Sequence, residues 1–142
     1  MIKRRFRDTD TQTYVGNETR EKLGKIIDGI CRYIKDNLML LENHICLVSS
    51  ITILNIGCGL GYESLALQKT LNCHVIGIDK KVDENLASVQ ANIKLIKNDI
   101  YSVELNNKFE IIYCYHVLEH VNDPALLLQT VKNLLSKNGV AF

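Results

Sequence analysis

Apolar positions change their spacing near residue 50, which divides the chain into a helical front and a body of alternating strands and helices. In the front, apolar side chains recur at intervals of three and four, the period of a helix with one apolar face. Asn17 suits an N-cap, with Glu18 and Glu21 in the first turn, where the helix dipole favours acids. We expect a helix of about six turns that covers one face of the core or closes over a ligand as a lid. Its apolar stripe is Leu23, Ile26, Ile27, Ile30, Ile34, Leu38 and Leu41.

Four nearly continuous apolar runs follow, and each has the length and β-branched content of a strand that is buried on both faces. A helical pattern between the first two runs places helix after strand, which is typical of a parallel α/β sheet with right-handed crossovers. We therefore predict an open parallel sheet with helices on both faces. The four runs are residues 51–56, 74–79, 93–97 and 109–115, and the helical pattern is 63–68.

A second helix of the body is predicted after the fourth run. Asp123 is placed to cap it, and Pro124 takes the favoured first position. Leucine and valine side chains form its apolar stripe as far as Leu135, and Gly139 is expected to end it. Val140 would then begin a fifth strand.

Composition excludes several classes of protein. The 142 residues suit a single domain, and 46% hydrophobic with 23% charged residues is ordinary for a globular protein. The net charge of +1 gives no strong sign of nucleic-acid binding, and no apolar segment is long enough to span a membrane. Five scattered cysteines without a C-x-x-C pair, and the absence of an apolar segment after the basic N-terminus, favour reduced thiols and a cytoplasmic location.

Candidate chemistry lies where the predicted strands end, because ligands of open α/β sheets bind at the carboxyl edge. Gly57, Gly59 and Gly61 follow the first strand and would let the backbone approach a ligand beside a helix N-terminus. Asp79 ends the second strand, where a carboxylate can accept hydrogen bonds from both ribose hydroxyls, and Asp99 ends the third, within reach of an adenine amino group. Each residue also suits an ordinary turn or cap, but together they predict a pocket for an adenosine-bearing molecule.

The glycine spacing narrows the choice among adenosine-bearing molecules. The dinucleotide fingerprint requires its last glycine at position 62, where this chain has Tyr62. The phosphate-binding P-loop requires a Gly-Lys-Ser/Thr sequence, which does not follow. The observed G-x-G-x-G pattern therefore suits a different ligand.

These motifs resemble those of the class I S-adenosylmethionine-dependent methyltransferases, in particular the small methyltransferase domains typified by quinone-biosynthesis enzymes. The resemblance implies a Rossmann-like fold, S-adenosyl-L-methionine as cofactor, and transfer of its methyl group to an acceptor, expected to be a small molecule. It runs from about residue 51 to the end and rests on five segments in the family's order: 53–61, 75–79, 98–100, 109–124 and 134–139.

The resemblance also implies a role for each matching position. The glycine loop would contact the methionine part of the cofactor, Asp79 its ribose, and Asp99 with the backbone of Ile100 its adenine. Tyr115 and His116 would border the sulfonium and the acceptor. The implied cofactor-binding residues are Asn55, Gly57, Cys58, Gly59, Gly61, Asp79, Lys80, Asn98, Asp99, Ile100, Tyr115 and His116.

His116 is the candidate catalytic residue, as a general base for an acceptor that must lose a proton; alternatively it only lines the pocket or caps the next helix. His116, Glu119 and His120 also match the H-x-x-E-H pattern of one class of zinc proteases, which needs a helix that holds both histidines on one face. Because the segment directly follows a strand and the methyltransferase motif already explains it, we predict no metal site.

The sequence departs from the family pattern in two places. Asn55 stands where the family usually has an acid, which removes a charge near the cofactor's amino group. The family's sheet has seven strands, whereas this sequence ends within the fifth, so we expect a fragment, a split protein completed by a partner chain, or a degenerate relative. We divide the chain into a tail and cover helix, 1–48, and an incomplete methyltransferase domain, 49–142. The alternative function is a non-catalytic cofactor- or partner-binding module on the same fold.

Overall fold

The computed structural model describes residues 20–38, 51–87 and 91–142. Within these residues, four α-helices and two 3-10 turns alternate with five strands. The α-helices are α1 (Arg20–Leu38), α2 (Tyr62–Leu71), α3 (Glu84–Ala87) and α4 (Pro124–Leu134). The strands are β1 (Thr52–Ile56), β2 (His74–Asp79), β3 (Ile93–Lys97), β4 (Phe109–Tyr113) and β5 (Leu135–Ala141). The 3-10 turns are Ile100–Ser102 and Leu118–His120.

The five strands form one parallel sheet in the order β3-β2-β1-β4-β5, which confirms the predicted α/β fold. The chain first builds outward from β1 to β3 and then returns to the other side of β1 with β4. The strand order therefore switches between β1 and β4. In open α/β sheets, the crevice at the carboxyl ends of such a pair is where ligands bind.

Successive residues of a strand point to opposite sides of the sheet, so the apolar strands present side chains to be buried on both faces. Helices cover both of these faces. One apolar cluster joins the sheet to α1 and α2, and the other joins it to α4. Strand β1 lies between the two clusters, which explains why its sequence is apolar almost without interruption. The clusters include Ile30, Ile53, Leu65 and Ile111 on the first face, and Leu54, Phe109, Ile112 and Leu127 on the second.

The predicted end of the last helix is wrong. Helix α4 ends at Leu134 rather than Gly139, and β5 begins at Leu135 rather than Val140. Leu135 already has extended backbone angles, so the helix passes directly into the strand. A Cβ on Gly139 would lie 2.7 Å from the carbonyl oxygen of Phe109. The glycine is therefore needed where β5 runs close to β4, at an irregular part of their pairing.

The N-terminal helix packs on α2, as expected of a cover helix. Ile30 is buried in the first apolar cluster, and the Cys31 thiol donates a hydrogen bond to the carbonyl oxygen of Ala66 at 3.6 Å. On the surface, Lys69 of α2 pairs with Asp28 of α1 at 2.8 Å. Several predicted features lie outside the described residues: the tail, the boundary at 48/49, Asn17, Glu18 and Leu41.

Two further findings concern the predicted reduced thiols and the absence of a membrane span. The cysteines in the described parts of the chain are all free thiols, namely Cys31, Cys58, Cys73 and Cys114. In those same parts, no helix combines the length and the apolar character required to cross a bilayer.

Candidate functional site

The glycine loop leaves β1 in a backbone conformation that other residues rarely adopt. Gly57, Gly59 and Gly61 have φ angles of 72°, 56° and 108°, all in the region where a Cβ is disfavoured. A Cβ on Gly57 would lie 2.3 Å from Cγ2 of Val117, and one on Gly61 would lie 2.6 Å from Cδ1 of Leu95. Gly61 is also the N-cap of α2. The loop therefore packs against Leu95 of β3 and against Val117, which follows β4.

Asp79 ties the end of β2 to this loop. Its Oδ2 accepts the N–H of Gly59 at 3.0 Å, and its Oδ1 accepts the N–H of Lys81 at 2.9 Å. The carbonyl oxygen of Ile78 accepts the N–H of Gly57 at 2.8 Å. Because each carboxylate oxygen has two lone pairs, Asp79 can hold the loop and still accept hydrogen bonds from a ligand.

An ion pair joins the ends of β2 and β3. Nζ of Lys80 lies 2.6 Å from Oδ2 of Asp99, while Oδ1 of Asp99 accepts the N–H of Tyr101 at 3.1 Å. The hydrogen bond from Lys80 holds the pKa of the Asp99 carboxyl below its usual range. Asn98 accepts the N–H of Asp99 through its own Oδ1 at 2.8 Å, and Ile100 begins the following 3-10 turn. Asp99 is therefore fixed in place as a charged carboxylate.

Asn55, the last residue but one of β1, is fully buried, with 0% of its surface exposed. Its Nδ2 donates to Oγ of Ser64 on α2 at 3.1 Å, and Ser64 is equally buried. Its Oδ1 has no hydrogen-bond partner among the described residues. A buried acceptor without a partner costs about 1–3 kcal/mol. An N–H group supplied by a ligand would remove that cost.

Aromatic rings gather beyond the end of β4. The centroid of the Tyr115 ring lies 6.0 Å from that of Tyr113, 4.1 Å from that of His116 and 5.1 Å from that of Tyr33, which belongs to α1. Burial, together with a hydrogen bond to Tyr33, raises the pKa of Tyr115 to about 12. Helix α1 therefore covers the core, as one of the two expectations had it, and also brings Tyr33 to the aromatic group after β4.

His116 combines an unusual backbone with a close acidic partner. Its φ angle of 56° is left-handed, and its Nδ1 lies 2.7 Å from Oε1 of Glu119. The pKa of Glu119 is lowered by a hydrogen bond from its own backbone and then by His116.

The alternative zinc motif lacks the helix that it requires. His116 is left-handed, and only the short 3-10 turn Leu118–His120 follows. The pattern therefore does not place His116 and His120 on one face of an α-helix. In the described part of the chain, no three histidine, cysteine, aspartate or glutamate side chains gather as a metal would require.

The structure adds three residues that the sequence did not single out, namely Ser64, Tyr33 and Glu63. Glu63 lies in the first turn of α2. Burial is the main cause of the raised pKa of Tyr113, followed by the negative charge of Glu63. For Cys114, burial and then Glu119 raise the pKa, and Glu63 contributes after them. In the sequence, only the position of Glu63 in the first turn of a predicted helix marked it, and acidic residues are common there in many helices.

The residues chosen from sequence lie along one edge of the sheet: the loop after β1, the ends of β2 and β3, and the segment after β4. Of these, Cys58 is buried, and burial raises the pKa of its thiol. Cys58 is therefore placed to contribute its backbone rather than a reactive sulfur.

Comparisons with known proteins agree with this geometry. Residues 25–142 match the family described as "Methyltransferase domain". The ubiquinone biosynthesis O-methyltransferase of Pelagibacter ubique is 32% identical over 120 residues, which are 78% of this chain and 50% of that protein. The tRNA U34 carboxymethyltransferase of Campylobacter jejuni is 30% identical over 102 residues, 67% of this chain and 35% of that protein. The chain thus spans half or less of the length of these relatives.

A solved structure has the same fold. An S-adenosylmethionine-dependent methyltransferase from Clostridium acetobutylicum superposes with a TM-score of 0.60 at 19% identity, over 94% of this chain and 55% of that one. The family match covers most of the chain and includes every strand of the sheet. This chain therefore belongs to the methyltransferase domain family and has the fold of the class I S-adenosylmethionine-dependent methyltransferases.

Proposed function

We propose that the chain binds S-adenosyl-L-methionine at the carboxyl edge of its sheet and serves the transfer of the methyl group to an acceptor. The observation that carries the proposal is the hydrogen bond from the N–H of Gly59 to the Asp79 carboxylate. It fixes a loop of three left-handed glycines beside the point where the strand order reverses between β1 and β4. The family match and the printed names of the relatives support it, and they favour an enzyme over a non-catalytic module.

The residues present fit this cofactor. The unpartnered Oδ1 of Asn55 offers an acceptor for N–H groups such as those of an amino-acid ammonium, although Asn55 lacks the charge of an acid. Asp79 has lone pairs left for ribose hydroxyls, and Asp99 is a fixed acceptor for an adenine amino group. When bound, the cofactor supplies a methyl group on a positively charged sulfur. The other residues that we propose to contact the cofactor are Gly57, Cys58, Gly59, Gly61, Lys80, Asn98, Ile100, Tyr115 and His116.

Calorimetric titration with S-adenosylhomocysteine, the product form of the cofactor, tests the proposal. We expect roughly micromolar binding by the wild-type chain. Asp79→Ala should weaken binding at least about tenfold, because it removes charged hydrogen-bond acceptors. Asp79→Asn should lose less, since it keeps one acceptor oxygen. Asp36→Ala, at an exposed position of α1, is the control and should bind as wild type does.

Absence of binding by a wild-type chain that circular dichroism shows to be folded would refute the proposal. Equal binding by Asp79→Ala and Asp36→Ala would refute the role of Asp79 alone.

We further propose a small-molecule acceptor, supported by the relative that acts in ubiquinone biosynthesis and by the near-zero net charge. The free thiols support a cytoplasmic location. Strand β5 is an edge of the described sheet, and exposed edges are usually covered. We therefore propose that a further strand or a partner chain pairs with it. We also propose that the chain divides into a tail with the cover helix, 1–48, and the methyltransferase domain, 49–142.

A further inference from the structure

We propose that a groove between α1 and α2 binds a phosphoryl dianion, either inorganic phosphate or the phosphate group of a small phosphomonoester. The groove has a volume of about 280 Å³, close to the lower limit of about 300 Å³ for small-molecule sites, and therefore suits a small ligand. Its lining residues are Asp28, Cys31, Arg32, Lys35, Lys69 and Thr70.

The groove is separate from the proposed cofactor site, and the inference does not depend on methyl transfer. None of its lining residues is among those that we propose to contact the cofactor. Gly61 caps the start of α2, whereas Lys69 belongs to the last turn of the same helix. At 1.5 Å per residue, the two positions lie about 12 Å apart along the helix axis.

Cationic side chains outnumber acidic ones in the groove. Arg32, Lys35 and Lys69 share it with one carboxylate, that of Asp28, so the lining carries a net charge of +2. The hydrogen bond from Lys69 and its charge lower the pKa of the Asp28 carboxyl, and Arg32 lowers it further, which keeps Asp28 ionised. A phosphomonoester has a charge of about −1.5 to −2 at neutral pH. Such a group balances the excess, whereas a single carboxylate leaves part of it.

The donors in the groove suit the oxygens of a phosphoryl group. Nζ of Lys69 lies 2.8 Å from Oδ1 of Asp28, and this contact uses one of the three N–H bonds of the ammonium. Arg32 has a planar fork of donors that matches phosphate oxygens in pairs, and Lys35 adds a compact charge from the last turn of α1. The side chains of Asp28 and Lys69 are each 59% exposed, so a ligand can enter from solvent.

Thr70 supplies a second, independent indication of a ligand. Its Oγ1 is buried and has no hydrogen-bond partner among the described residues, which costs stability. Threonine has two accessible χ1 rotamers in a helix, so rotation can turn this hydroxyl into the groove. There it would donate to a phosphoryl oxygen, and the bound anion would remove the cost of the unpartnered group.

Titration of the full chain with inorganic phosphate, followed by ¹⁵N amide nuclear magnetic resonance, tests the groove. Phosphate replaces sodium chloride at constant ionic strength, because any salt screens exposed charges. We expect saturable shifts centred on Arg32 and Lys69, with a dissociation constant of roughly millimolar order. Shifts that do not saturate, or that appear equally around lysines on every face, would overturn the site.

Charge variants test the electrostatic argument. Arg32→Gln and Lys35→Gln each remove one positive charge from an exposed position and should weaken phosphate binding about three- to tenfold. Asp28→Asn removes the carboxylate and should strengthen binding about threefold. Lys132→Gln is the matched control, because it removes an exposed lysine of α4, which packs on the other face of the sheet. Equal affinities of Arg32→Gln and Lys132→Gln would overturn the assignment.

Thr70→Val separates a role of the hydroxyl in ligand binding from a structural role. Valine keeps the shape of threonine without the hydroxyl, so the variant removes a buried oxygen that has no partner. Its free energy of unfolding in urea should therefore equal or exceed that of the wild type, while phosphate binding should weaken about threefold. Lower stability with unchanged phosphate binding would show that the hydroxyl serves the fold, and would overturn its place in the site.

Two further ligands distinguish the source and the class of the anion. Tighter binding of glycerol 3-phosphate than of inorganic phosphate would identify a phosphomonoester, and weaker binding would identify the free ion. Acetate, with a single charge, should bind at least about tenfold more weakly than phosphate, and equal affinity would overturn the phosphoryl assignment. Failure of the same samples to bind S-adenosylhomocysteine would contradict the proposed function and leave this site unaffected.

Discussion

Replacing Gly57 by alanine would test two constraints on the glycine loop at once. The φ angle of 72° costs about 1–2 kcal/mol for a residue with a Cβ. The added Cβ would also lie 2.3 Å from Cγ2 of Val117, far inside contact distance, and such overpacking costs about 1–3 kcal/mol. We therefore expect Gly57→Ala to lower the free energy of unfolding by about 2–5 kcal/mol.

A double-mutant cycle separates the two contributions. Val117→Ala removes the methyl group that the new Cβ meets, and on its own it should cost about 1–2 kcal/mol because Val117 is partly buried. In the double variant the clash is absent and only the backbone strain remains. We expect a favourable coupling of about 1–3 kcal/mol between the two substitutions.

Urea unfolding followed by circular dichroism measures each free energy. Gly77→Ala is the comparison for overpacking without left-handed strain, because the φ of Gly77 is not positive. Its Cβ would lie 2.5, 2.7 and 2.9 Å from side-chain atoms of Ser64, Leu95 and Cys58, so it should show a packing cost alone and a larger one than that at Gly57. If Gly57→Ala unfolds within about 0.5 kcal/mol of wild type, or if the double variant is strictly additive, the reasoning about this loop is wrong.

Three further predictions concern other parts of the site's framework. Asp123→Ala removes the oxygen that accepts the N–H of Leu126 at 2.9 Å and caps the first turn of α4, so it should lower the free energy of unfolding in urea by about 1 kcal/mol. Asp123→Asn keeps an acceptor oxygen and is the control. An unchanged stability of Asp123→Ala would contradict the cap. Because Lys80 lowers the pKa of Asp99, the stability that Asp99 contributes is complete above the pH where an ordinary aspartate titrates and is lost below it. Asp99→Asn should therefore lose less stability than wild type between neutral pH and about pH 3, and equal losses in acid unfolding would exclude this contribution. Burial raises the pKa of the Cys58 thiol, so a thiol reagent should modify Cys58 much more slowly than the part-exposed Cys31. Peptide mass spectrometry measures the two rates, and equal rates would contradict the burial of Cys58.

The central strands could be predicted because they carry their own signal. Strand β1 is buried at nearly every position, so its sequence is almost continuously apolar, and β2 is buried at Val75, Gly77 and Ile78. Helix α3 has only four residues, too few for any periodicity to appear, and it was not predicted. The end of α4 was predicted too late, because Leu134 and Leu135 continue the apolar stripe although the backbone has already become extended at Leu135.

The site was predictable where a single segment contains the whole motif. The glycine loop, Asp79 and Asp99 follow strands directly, so their placement at one sheet edge follows from the topology. Ser64 has no such motif, and its relation to Asn55 exists only because α2 packs over β1. A sequence also does not show that Oδ1 of Asn55 lacks a partner, since that depends on every side chain around it.

Helix α1 illustrates how one element contributes both to the core and to the aromatic group after β4. Ile30 and Cys31 fix the helix to α2, and α2 begins at Gly61, the last glycine of the loop. The same helix places Tyr33 against Tyr115, one residue before His116. Because one helix makes both sets of contacts, the packing of α1 on the core also places Tyr33 in the aromatic group after β4. Removing α1 would therefore expose apolar surface of the core and take Tyr33 away from Tyr115 in a single step.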